Sequence, residues 1–291
     1  MTLGSTTIKW KERSDNLGLS VVLDVEVLYR EKSDFQTIEI LNHDRFGRLL
    51  CLDGYIQACQ ADEFIYHEMA VHVPLLGKKH SDTSVLIVGG GDGGILREVL
   101  VHDFVESVTM VEIDQKVIEV SNKFLGIQGN YNDPRVSLVI QDASEFVWDA
   151  KKSNLLYDVI ILDLTEPVGP SASVFTLEFV ENISKLITPT GIIIDSDSIF
   201  VADGHGYFLQ EESSDGENLF SVIKKTKILP NIEIFRTHIP FFPGADFMFF
   251  LYGFGETTYK KPFSNYVGRH YNPAIHKAAF ALPAWQQNWL Y

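Results

Sequence analysis

Cysteine is scarce: only Cys51 and Cys59 occur in 291 residues. A disulfide-stapled scaffold is therefore excluded, and a reducing, cytoplasmic compartment is the expectation. No cysteine–histidine spacing suggests a zinc site, and no metal is expected. No apolar run approaches the roughly 18 residues of a membrane span, so no membrane partner is expected. The opening segment MTLGSTTIKWKERSDN has no apolar stretch of signal-peptide type. Basic residues are in deficit as well. Twenty-four Lys and Arg against thirty-nine Asp and Glu leave a formal charge of -15. That balance disfavours nucleic acid and acidic membranes, serves solubility, and favours cationic ligands through long-range attraction. Internal repeats and low-complexity tracts are absent too.

What is present falls into two styles. Residues 18 to 60 alternate apolar and polar positions, broken by HDRFGR and LDG, which predicts antiparallel hairpins. DEFIYHEMAVHVPLL then reads as a helix with Met69 and the later apolar residues on one side. From Thr83 onward, continuous apolar runs alternate with helical patterns: SVLIVGG, ESVTMVEID, RVSLVIQD, YDVIILDL and GIIIDSDS as strands, with helices between. This predicts an α/β fold with a doubly wound, Rossmann-like parallel sheet. NIEIFRTHIP and DFMFFLYGFG add an antiparallel pair at its edge. The expected division is a small N-terminal antiparallel β domain over 1–75 and a Rossmann-like catalytic domain over 76–291. The polar, acidic insertion from Ala202 to Glu217 reads as a surface loop, a candidate lid.

Ligands of open α/β sheets bind beyond the carboxyl ends of the strands. The first of these ends in Gly89, Gly90, Gly91 and Asp92, inside VLIVGGGDGGILREVL. The others end in Glu112 and Asp114, Asp142, Asp163 and Glu166, then Asp195 and Asp197. A single carboxylate at such a point caps a helix or suits a turn, and Asp92 could simply favour the helix N-terminus. Five acidic strand ends in one cleft are costly unless a cation or hydrogen-bond donors offset them. A pyrophosphate against the glycine turn would be repelled by Asp92. An adenosyl donor with a positive tail would not. Glu112, about twenty residues beyond the glycines, is placed for ribose hydroxyls. Asp142 is placed for an adenine amino group. The pattern thus points to S-adenosylmethionine or its decarboxylated form.

LDLTEPVGPSASVF carries Asp163 and Glu166 on a proline-stiffened loop. A carboxylate there can bind a protonated amine and accept its proton as the amine attacks the carbon beside a sulfonium. A second carboxylate can hold the far ammonium of a diamine.

FGRLLCLDGYIQACQADEFIYHEM, VLIVGGGDGGILREVL, VTMVEIDQKVIEVS, DPRVSLVIQDASEFV, YDVIILDLTEPVGPSASVF, HIPFFPG and HYNPAIHKAAFALP together resemble the spermidine synthase family of polyamine aminopropyltransferases. The resemblance implies transfer of an aminopropyl group from decarboxylated S-adenosylmethionine to an amine, with release of methylthioadenosine, by a homodimer or homotetramer. It implies that Gln36, Gly89, Gly91, Asp92, Glu112 and Asp142 bind the donor. Asp163 would be the catalytic base or its partner. Tyr66 and His67 would lie by the donor tail and acceptor, and Gln57 in the same cleft. Departures gather on the acceptor side. Leu164 replaces a hydroxyl residue, Glu166 replaces Asp, Ser196 stands where Gln is frequent, and Phe242 replaces a Tyr. Asp246 adds a charge. Putrescine is the default acceptor, with cadaverine, agmatine or spermidine as alternatives. Methyl transfer from intact S-adenosylmethionine is disfavoured by Asp92, and a non-catalytic binding protein by Asp163. A nicotinamide dehydrogenase is likewise disfavoured by Asp92.

Overall fold

The structure, a computed structural model, describes residues 7–13, 21–79, 81–165, 174–200, 219–242, 245–255, 258–284 and 286–287. The side chains of 197–200 and 245 are not described. Glu166 and the loop through 173 therefore lie outside the described residues, as do the insertion from Ala202 to Glu217 and the Asp197 side chain.

The hairpin segment forms one antiparallel sheet in simple chain order. Its strands are β1 (Ile8–Lys11), β2 (Val22–Lys32), β3 (Thr37–His43), β4 (Gly47–Leu52) and β5 (Tyr55–Cys59). Both faces are covered. Ile38, Ile40, Leu50 and Leu52 pack on Val117 and Val120, while Trp10, Val25, Leu41 and Leu49 pack with Phe241 and Phe242. The small sheet is thereby fixed over the second one at two points.

The second sheet has strands β6 (Thr83–Gly89), β7 (Val105–Glu112), β8 (Val136–Ile140), β9 (Tyr157–Asp163), β10 (Ile187–Phe200), β11 (Asn231–Thr237) and β12 (Ala245–Gly253). Their spatial order is β11-β12-β10-β9-β6-β7-β8. β8, β7, β6, β9 and β10 run parallel, and β12 and β11 add the antiparallel edge pair. The chain winds outward in both directions from the β6–β9 pair, so the topological switch point lies between their carboxyl ends. There Gly89 pairs with Asp163.

Helices cover both faces. α1 (Glu63–Leu76), α2 (Gly94–Leu100) and α7 (Pro273–Ala279) lie on one side, where Met69, Val73, Ile95 and Ala279 share a core with Ile87 and Ile161. α4 (Ala143–Lys152), α5 (Leu177–Ile183) and α6 (Leu219–Thr226) lie on the other, where Val147, Val180 and Val222 pack on Leu86 and Ile160. α3 (Gln115–Phe124) carries the contact to the small sheet. α1 departs from its one-sided expectation. It is buried on nearly all sides, because the sheet, α2 and the C-terminal segment enclose it. It packs with the second sheet, although the expected division near residue 75 leaves it with the first.

Candidate active site

The switch point gathers three segments. β6 ends in the glycine turn, β9 ends at Asp163, and the first turn of α1 brings Tyr66 and His67 across both. One polar atom from each of His67, Asp92 and Asp163 lies within 4.8 Å of the others.

Two glycines make this approach possible. Gly89 has φ +82°, and a Cβ there would stand 2.1 Å from the Asp163 carbonyl oxygen. Only a residue without a side chain lets the two strand ends pair so closely. A Cβ on Gly91 would meet Glu112 Oε2 at 2.8 Å.

Asp163 is half-buried, and its Oδ1 accepts a hydrogen bond from the Tyr66 hydroxyl at 2.8 Å. Ser196 Oγ lies 2.8 Å from the same hydroxyl oxygen. Burial and the charge of Asp92 push the Asp163 carboxyl up, against the pull of His67 and Tyr66, to about 6. It is therefore ionised near neutrality yet able to take a proton. Burial and Asp163 raise the Tyr66 phenol, so it stays a donor.

Asp92 does two things at once. Its Oδ1 accepts from the Gly94 N–H at 2.8 Å, at the start of α2, and its Oδ2 lies 3.3 Å from His67 Nε2. Burial works against the charged form, but His67, the Gly94 N–H and Arg97 outweigh it and hold the carboxyl below its ordinary range. A helix-capping role and a place in the cleft are thus compatible.

The residues expected to bind a donor extend away along β7 and β8. Glu112 is buried, its Oε1 accepts from the Asp114 N–H at 2.9 Å, and burial pushes it up to about 7. Gln36, buried in the turn after β2, donates from Nε2 to Asp114 Oδ2 at 3.1 Å, and Ser33 donates to the same oxygen at 2.6 Å. Asp142 caps α4, accepting from the N–H groups of Ser144 and Glu145. Ser33, Phe35, Ile113, Asp114, Ile140 and Asp142 line a cleft of about 650 Å³ between the small sheet and these strand ends. Its size and mixed lining suit a nucleoside.

Among the residues expected to face an acceptor, Phe242 is half-buried and meets Phe247 at a 5.2 Å centroid distance, and Phe247 meets Tyr66 at 6.1 Å. Asp62 Oδ2 fixes this loop by accepting from the Phe241 N–H at 2.8 Å. Asp195 accepts from the Ser196 N–H at 2.8 Å, and burial raises it to about 7. Asp246 is engaged elsewhere. Its Oδ2 accepts from Arg236 at 2.6 Å and from Gln286 at 3.1 Å. Gln57 is half-buried on β5. Sequence reasoning missed Glu63, Arg97 and the bond from Ser196 to Tyr66. The four-residue spacing of Glu63 and His67 on a helix was the available signal.

Fold and site together define a Rossmann-type α/β protein with an acidic cleft at the switch point of its sheet. The chain belongs to the spermine/spermidine synthase family. The model of the spermine/spermidine synthase domain matches residues 63–252, and that of the spermidine synthase tetramerisation domain matches residues 10–60. A polyamine aminopropyltransferase of Shigella boydii serotype 18 is 40% identical over 293 residues, with 96% of each chain covered. One from Escherichia coli O1:K1 is 39% identical over the same coverage. Among solved structures, a spermidine synthase in complex with the transition-state analogue AdoDATO is 29% identical with a TM-score of 0.83, covering 97% of this chain and 94% of that one. The spermidine synthase of Thermotoga maritima is 28% identical with a TM-score of 0.80, covering 97% and 93%.

Proposed function

We propose that this chain transfers the aminopropyl group of decarboxylated S-adenosylmethionine to an amine, putrescine by default, and releases methylthioadenosine. The observation that carries this reading is the meeting of Asp92, Asp163 and Tyr66 at the switch point, beside a nucleoside-sized cleft. The adenosine half of the donor reaches into that cleft, which Asp142 lines, with Asp142 on the adenine, Glu112 on the ribose, and Gln36, Gly89 and Gly91 as further donor-binding residues. The donor's ammonium tail pairs with Asp92. The acceptor amine sits against Asp163, bounded by Tyr66, His67 and Phe242; its far ammonium is the role the sequence gives Glu166, which lies outside the described residues.

The reaction follows from these positions. The amine's lone pair attacks the methylene carbon next to the sulfonium, a C–N bond forms, and the C–S pair passes to sulfur, giving a neutral thioether. Asp163 accepts the proton that the amine must lose. Holding nucleophile, carbon and sulfur in line is the main contribution of the rigid strand ends. The loss of a phenol at Phe242 and the shorter Ser196 alter the acceptor wall, not the donor side.

The match to a tetramerisation domain supports an oligomer, a homodimer or homotetramer. No helix among the described residues is long and apolar enough to cross a membrane. Both cysteines are free and buried, in keeping with a cytoplasmic location.

The test is incubation with decarboxylated and intact S-adenosylmethionine and a panel of amines, with products identified by mass. Gain of an aminopropyl unit with methylthioadenosine is the expected result. Gain of a methyl group with adenosylhomocysteine would overturn the reading.

A further inference from the structure

The acidic site holds a buried histidine between two carboxylates. The His67 ring is 3% exposed, and both of its nitrogens face carboxylates. Nδ1 lies 2.6 Å from Glu63 Oε2, and Nε2 lies 3.3 Å from Asp92 Oδ2. A neutral imidazole donates from only one nitrogen. The other lone pair would then face a carboxylate in a desolvated setting, which is repulsive. With both neighbours ionised, only the doubly protonated ring satisfies them. Glu63 is in turn held by Arg97, whose NH2 and NH1 groups reach its two oxygens at 2.9 and 3.2 Å. Arg97 is anchored by Glu98 at 2.6 Å and the Ile127 carbonyl at 2.6 Å. Charge therefore alternates along Asp92, His67, Glu63, Arg97 and Glu98, from the cleft into the protein.

We propose that Glu63, buttressed by Arg97, is a positioning residue that keeps His67 an imidazolium, and that this buried cation lets Asp92 and Asp163 ionise together in the free enzyme. Two carboxylates sharing a cleft without a cation do not both stay charged. The substrates bring ammonium groups, but these are absent before binding. His67 fills that gap and also fixes the Asp92 rotamer. The groups facing it are Glu63 and the Tyr66 ring edge from α1, Asp92 from the glycine turn and Asp163 from β9. Their balance agrees. Burial works against the imidazolium, yet Asp92 and Glu63 outweigh it and raise His67 to about 10. His67 in turn lowers Asp163.

The charge state stands on geometry alone, while its kinetic consequence rests on the aminopropyl-transfer reading. Nitrogen NMR of histidine-labelled protein reads the first directly. His67 is assigned among nine histidines by its loss in His67→Gln. In the wild type both ring nitrogens stay protonated through pH 8. In Glu63→Gln the ring titrates at least about one pH unit lower. The second readout is the acid limb of kcat/KM for the donor. It moves up by about one pH unit in His67→Gln, because Asp163 loses a stabilising cation, and moves little in Glu63→Gln, whose ring is still charged where Asp163 titrates. Melting curves establish that each variant is folded. A neutral His67 in the wild type at pH 7 overturns the proposal. So does an acid limb that stays in place in His67→Gln while activity falls equally at every pH, which is what lost packing alone would give. An imidazolium seen by NMR in a protein that transfers no aminopropyl group sustains the charge clamp and overturns the reaction assignment instead.

Discussion

Replacing Tyr66 by Phe removes one oxygen from the centre of the site and leaves the ring in place. That ring packs against Phe249 at 5.5 Å and Phe247 at 6.1 Å, so folding is expected to survive. What is lost is the hydrogen bond to Asp163 Oδ1 at 2.8 Å and the link to Ser196. A hydrogen bond to a charged group contributes about 1.5–3 kcal/mol, but water admitted at the vacated corner recovers part of it. The lower end corresponds to about one pKa unit. The direction is upward, since the phenol favours the ionised carboxylate, which stands at about 6 in the intact site. At pH 6 the ionised share of Asp163 then falls from about a half to about a tenth, a loss of about fivefold in kcat/KM. At pH 8 the two proteins differ little in ionisation. The assay is the pH dependence of kcat/KM with decarboxylated S-adenosylmethionine and putrescine. An acid limb at the same pH in both proteins would refute the role assigned to the phenol.

Three further outcomes follow from the same geometry. Asp163→Asn lowers kcat by at least about a hundredfold while donor affinity stays within a few-fold, measured by steady-state kinetics and calorimetry; an active variant would mean that the base lies elsewhere. Asp195→Asn concerns stability. The folded-state value of about 7 is raised above the ordinary 3.8, so the contribution of this carboxyl is fully present below 3.8 and is lost as pH rises through 7. Asn keeps an acceptor for the Ser196 N–H, so its advantage over Asp grows between pH 4 and pH 8 by about 4 kcal/mol, read from denaturant melts. A pH-independent difference would contradict the burial of that carboxylate. Gly89→Ala puts a methyl group against the Asp163 carbonyl at a positive φ and costs at least about 3 kcal/mol of stability; a variant that melts like the wild type would show that the strand ends can part.

Much of the architecture was legible because each element states its own environment. Runs such as Val85–Val88 and Val159–Leu162 are apolar without interruption, as strands covered on both faces require. β4 departs from the alternation expected of the hairpins: it is apolar from Leu49 to Leu52, because the structure puts successive residues on different cores. Chain order then brings Asp92 and Asp163 to one switch point by topology alone. The contacts between distant segments were not legible. Glu68 sits in the helix pattern like a solvent residue, yet its carboxylate accepts from the N–H groups of Arg269, His270 and Tyr271, about two hundred residues away. Asp246 looked like an added charge on the acceptor wall, and only the fold shows that Arg236 and Gln286 hold it. Nothing in the spacing of Tyr66 and Ser196 announces their bond. One-sided burial of α1 was the natural reading of its polar positions, but those positions face buried partners.

Calorimetry with decarboxylated S-adenosylmethionine and, separately, a nicotinamide dinucleotide tests the central claim most directly. A switch point where Asp92 and Asp163 meet should bind the sulfonium donor, lose affinity for it in Asp92→Asn, and ignore the dinucleotide. Binding of the dinucleotide with no response to the sulfonium would contradict the account.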